Sequence, residues 1–325
     1  MTLAKSGGRG LRQLRAALLA GTALSLGMVA YGGQASAVNE CGPAETLTGI
    51  VTCSNPTYHG IRYENPLNEP QYEGLEDFTL NVGVESETIQ IGPHATNGHG
   101  VAVIIDGAKA TNVTVEVGNN VSIDVSDGGQ DGIRVITNQA SGDVIINSAA
   151  EIIAGRDGIR VNTSDNADVT NSGSIEAARH GIHVTADANA DVTNSGSIEA
   201  ARHGIFVEAG GETTIDNSGK IVAGETGILV NVDDGPATIT NSAEIEASQG
   251  IVANATGDIV LSNSGGIIVE GGHGISAESQ TGSVTITTGR VTAESGNGVI
   301  ARAELDAEVA VDGDIAADGW YGVMA

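Results

Sequence analysis

Polar and apolar residues alternate along this chain in short bursts. Asp-Val-Thr-Asn at 168–171, Gly-Ser-Ile-Glu-Ala at 173–177 and Gly-Ile-His-Val at 181–184 place an aliphatic residue at every second position. Gly, Asn, Ser and Asp separate the bursts, and none lasts long enough for a helix. Alternation of this length predicts short, half-buried strands.

The bursts recur in register. Gly-Ile-x-Val and close variants return at Gly132, Gly158, Gly181, Gly204 and Gly227, then as Gly-Ile/Val-x-Ala at Gly250, Gly274, Gly298 and Gly322. The spacing settles to 23 residues and then 24. In phase with it run Asn147, Asn171, Asn194, Asn217, Asn241 and Asn263, each followed by Ser, with Thr287-Thr288-Gly289 as a degenerate copy. A third column holds Ile175, Ile198, Ile221, Ile245 and Ile267, and residues 168–181 are repeated almost verbatim at 191–204.

A period in the twenties implies a solenoid, and three bursts per period imply three strands per coil. At about 3.3 Å per residue the repeat traces a closed path of about 75 Å, with the next coil about 4.8 Å above. The expected fold is all-β: a right-handed parallel β-helix with three short strands per 23–24-residue coil, its hand taken from the preference of parallel crossovers. Leucine-rich repeats need several Leu per unit, a calcium-binding roll needs tandem Gly-Gly-x-Gly-x-Asp, and a left-handed helix needs a six-residue period. None is present.

Stacking gives the columns physical roles. Ile159, Ile182, Ile205, Ile228, Ile251 and Ile275, with Val161, Val184, Val207 and Val230, are expected to line the core. The six Asn are expected to form a structural ladder of side-chain amides, and the repeat glycines to relieve a corner that needs positive φ or close packing. His59-Gly60-Ile61 and His99-Gly100-Val101 carry the pattern upstream. The expected organisation is a signal peptide at 1–37, an amino-terminal cap and irregular first coils at 38–98, marked by Pro66, Pro70, Tyr58, Tyr63 and Tyr72, and repeats at 99–325 that continue beyond the carboxy terminus.

Composition sets the compartment. The first 37 residues hold Lys5, Arg9, Arg12 and Arg15, no acid, an apolar run and then Ala35-Ser36-Ala37, the features of a cleavable secretory signal. Export makes a Cys41–Cys53 disulfide the expected state of the only two cysteines. The remainder has 10 basic against 41 acidic side chains, a formal charge of −31 that argues against a nucleic-acid partner. With 8 aromatic residues in 325, the core must be built from small aliphatic side chains.

Chemistry is sparse. Asp157 and His180 precede repeat glycines, and Arg160 and His183 follow them by two, so the four are expected to cluster on adjacent coils. As a functional group they would make a small anion, metal or sugar site. As members of a turn column they are solvated polar residues, which is the expectation adopted. No catalytic residue, metal set or cofactor is assigned, and nucleophile elbows, P-loops and zinc-protease motifs are missing.

The basic leader together with reiterated Asn-Ser-Gly-Ser-Ile-Glu-Ala and Gly-Ile-x-Val units resembles passenger domains of bacterial autotransporters, the adhesin-like proteins of type V secretion. The likeness spans roughly residues 132–325. It implies a non-catalytic stalk or adhesion module at the cell surface, in the outer membrane or released. It also implies a translocator barrel in cis or a partner exporter, and a host or sister-cell glycan or protein as the adhesion partner. A secreted polysaccharide lyase or hydrolase acting through the Asp157, Arg160, His180 and His183 face is the alternative from another class, and a surface-layer component is a third.

Overall fold

The structure, a computed structural model, describes residues 41–325 apart from 46–47, 66–75, 84–87, 94–97, 107–110, 139–141 and 319–320. The leader at 1–37, Pro66, Pro70 and Tyr72 lie outside the described residues. The chain visits three sheets in turn, each 11-stranded and parallel throughout. The first sheet runs from Ile50–Cys53 to Ala307–Val311, the second from Thr57–Tyr58 to Ile315–Ala317 and the third from Ile61–Glu64 to Val323–Met324. One coil comprises Ala167–Asn171, Ile175–Ala177 and Ile182–Ala186. This is the expected parallel β-helix. The coils begin at Ile50, so the first two belong to the same stack as those after residue 99.

The register follows the aliphatic columns. Ile159, Ile182, Ile205, Ile228, Ile251 and Ile275 are successive Cα partners and all are fully buried. Withdrawing each such side chain from water contributes roughly 1.5–3 kcal/mol, so the repeated column, with no large anchor, supplies the cohesion of the rod. The described aromatic core residues sit at the amino-terminal end, where Tyr63 packs on Phe78 at 5.3 Å. The Tyr63 hydroxyl donates to the Gly42 carbonyl at 2.9 Å and accepts from the Cys41 N–H at 3.3 Å. The Cys41–Cys53 disulfide is formed and ties the same segment to the first strand.

The Asn ladder exists, one rung shorter than expected. Asn171, Asn194, Asn217, Asn241 and Asn263 stand in register and are buried. Asn147 is not among them. Strand Val144–Ser148 turns Val144, Ile146 and Ser148 inward, which leaves Asn147 on the outer face, donating to Glu116 Oε1 at 2.7 Å. Ser148 is the residue below Asn171. At the other end, Asn263 donates to Thr288, not Thr287, at 3.1 Å.

Close packing, not positive φ, explains the repeat glycines. Gly158 is not among the positive-φ residues. A Cβ there would collide with Ile175 Cγ2 and lie 2.7 Å from the Gly181 carbonyl oxygen. The corner is filled by the next coil.

Candidate functional site

The residue before each repeat glycine enters the third sheet at a tight corner whose backbone N–H needs an acceptor. The side chain one coil below supplies it. Asp131 N–H donates to His99 Nδ1 at 3.1 Å, Asp157 N–H to Asp131 Oδ1 at 3.3 Å, and His180 N–H to Asp157 Oδ1 at 3.3 Å. His273 and Asn297 do the same further along. Where this column holds Thr226 and Gln249, the strands lengthen to Thr226–Val232 and Gln249–Ala255 and pair through their backbones instead.

This corrects the expectation of a solvated turn column. Asp131 and Asp157 are 0% exposed, His180 1% and His183 5%. The column turns inward because a capping acceptor has to sit beside the N–H it serves. His183, on the outward parity of its strand, is covered by rings: Phe206 stacks on it at 4.9 Å and His180 meets it edge-on at 5.1 Å. His203 stacks on the other side of His180 at 4.9 Å.

The four expected residues do meet, and arginines outside that set join them. Asp157 Oδ2 lies 3.4 Å from His183 Nδ1, 3.5 Å from Arg160 Nη1, 3.6 Å from Arg156 Nε and 3.7 Å from Arg179 Nη1. Arg156 also donates to both oxygens of Asp131, at 2.8 and 3.0 Å. Arg134 and Arg160 are Cα partners on neighbouring strands. Arg156, Arg179 and Arg202 follow one another up the rod, joined by backbone bonds of 2.8 Å. The recurrence of Arg two residues before Gly158, Gly181 and Gly204 is the sequence signal for this second row.

Five of the 10 basic residues after position 37 therefore lie on two adjacent columns of an otherwise acidic chain. Arg202 is engaged by Glu225. The other four, 22–34% exposed at their side chains, stand over two buried carboxylates. Like charges placed directly opposite each other on neighbouring strands cost stability, and the two buried carboxylates beneath them offset part of that cost.

Burial raises the Asp157 pKa, but the hydrogen bond from His183 and the Arg179 charge are among the interactions that more than offset it and hold the carboxyl below its usual range. Burial raises that of Asp131 against the pull of Arg156. Burial lowers His180 to about 3, so its ring is neutral near pH 7. No family model, no curated protein and no solved structure matches this chain. Glycoside hydrolysis needs two carboxyl groups reaching an open cleft from opposite sides. Here the two nearest carboxyls are buried beneath guanidinium groups. Two shallow hollows, of about 340 and 240 Å³, lie elsewhere, one around Asn138 and Asn162 and the other around Glu176 and Glu199.

Proposed function

We propose that the protein is a non-catalytic β-helical rod of the autotransporter-passenger kind, exported by its leader and displayed at the cell surface or released. It holds acidic glycans on the ledge formed by Arg134, Arg156, Arg160 and Arg179. The observation that carries this reading is the gathering of four of the 10 basic side chains after position 37 along one corner of an acidic rod. Two of the four guanidinium groups are only loosely used: Arg160 and Arg179 touch Asp157 at 3.5 and 3.7 Å, beyond normal hydrogen-bond range, which leaves their planar forks for a carboxylate or sulfate.

Charge also limits the partner. The ledge spans only a few coils, and the chain around it repels extended polyanions. An isolated carboxylate- or sulfate-bearing sugar unit fits better than a nucleic acid or a densely charged polymer. The regular aliphatic columns and buried amide ladder supply the rigid stalk that presents it.

A panel of immobilised acidic and neutral oligosaccharides tests the proposal. The wild-type chain binds acidic members, more weakly as salt rises. The double variant Arg160→Gln/Arg179→Gln loses roughly tenfold or more in affinity, while Lys220→Gln, on another face, leaves binding unchanged. Equal binding by the double variant, or preference for neutral sugars, overturns the proposal.

A further inference from the structure

His180 is almost wholly buried, yet among the described residues neither of its ring nitrogens has a hydrogen-bond partner, and the same holds for His183 Nε2. A buried imidazole with no partner is a standing cost, and it sits beside a carboxylate that is buried as well. We propose that Asp157, His180 and His183 form a binding site for a divalent transition-metal ion of the zinc class.

The geometry is close to what such an ion needs. One ligand atom from each residue can be chosen so that all lie within 4.8 Å of one another. His183 Nδ1 and Asp157 Oδ2 are 3.4 Å apart. Two ligands at about 2.0–2.1 Å on a tetrahedral zinc are separated by about 3.3 Å, so assembling the set requires the atoms to close by at most about 1.5 Å. Two imidazoles and one carboxylate suit zinc, copper or nickel, whereas calcium and magnesium prefer oxygen alone. The supports are in place: the His180 N–H fixes the Asp157 carboxylate, His203 stacks on His180, and Phe206 stacks on His183.

Arg156, Arg160 and Arg179 oppose the ion. Arg160 and Arg179 contact Asp157 Oδ2 only at 3.5 and 3.7 Å and reach solvent, so an entering metal displaces them outward, while Arg156, at 3.6 Å from that oxygen, stays on Asp131. Their charge lowers the affinity of the site. Removing one of them therefore strengthens metal binding, an effect that loose adsorption of cations on acidic surface groups would not produce. The site uses different atoms from the glycan ledge, and its test contains no glycan, so either reading can fail alone.

Titration calorimetry of the folded chain with zinc, in buffer holding excess calcium to fill weak carboxylate sites, is the experiment. A single zinc ion binds per chain. His180→Gln, His183→Gln and Asp157→Asn each weaken binding by roughly tenfold or more, and Arg160→Gln tightens it. Binding unchanged in His180→Gln, or no site that calcium fails to block, overturns the proposal. Should a variant fail to fold, pulsed EPR of copper-loaded wild-type protein decides: couplings from two imidazole nitrogens support the site, and none contradicts it.

Discussion

Asn171 donates its side-chain amide to Oδ1 of Asn194 across 2.8 Å, one coil away, and gives its second N–H to the Gly173 carbonyl at 2.9 Å. The same pair of bonds is made by Asn194, Asn217 and Asn241 to the next Asn and to the residue two positions on. Buried amides are thereby satisfied in series. Replacing the middle rung, Asn217→Ala, strands the Asn194 donor and the Asn241 acceptor relationship at once. The expected loss is about 2–3 kcal/mol in urea unfolding, against a few tenths for Asp216→Ala, exposed on the neighbouring position of the same strand.

The ladder ends at Asn171 because Ser148 stands below it, and Asn171 Oδ1 is left without a donor. Ser148→Asn adds the missing rung. We expect a gain of about 1 kcal/mol, read as a higher urea midpoint with unchanged slope; a loss would show that this corner has no room for the amide.

Gly204 occupies a corner where a Cβ would meet Ile221 and the Gly227 carbonyl oxygen at 2.6 Å. Gly204→Ala is expected to cost about 1–3 kcal/mol through overpacking. The same change at Gly266, where a Cβ meets nothing, serves as the control.

His99 gives a pH dependence with a definite sign. Burial first, and the neighbouring Arg134 charge second, lower its pKa from 6.5 to about 4. Between those values the unfolded chain carries the proton and the folded chain does not, so stability rises with pH across the window and is lost on acidification through it. The limiting slope from this group is roughly 1.4 kcal/mol per pH unit. Protonation would remove the acceptor that serves the Asp131 N–H or Arg134. His99→Gln keeps an acceptor without titrating, and chemical denaturation between about pH 7 and pH 5 should show a flatter decline than wild type.

The period of the repeat was enough to place Ile182 over Ile159 and under Ile205, because identical residues at a constant interval can stack in only one register. Asn147 shows the limit of matching by identity. Its Asn-Ser pair looks like the others, but the alternation of Val144 and Ile146 decides which face each residue takes. The turn column shows a different limit. Asp157 and His180 read as surface residues by composition, and only the need of a corner N–H for an acceptor turns them inward. The proposed ledge is less legible still, since Arg156 and Arg179 show how they stand against Asp131 and Asp157 only once the coils are stacked.

The claim that the arginine ledge is the binding surface is tested most directly by hydrogen–deuterium exchange, with and without an acidic oligosaccharide selected from the panel. Protection confined to the coils carrying Arg134, Arg156, Arg160 and Arg179 is the predicted result. Protection elsewhere on the rod, with those coils unchanged, would contradict it.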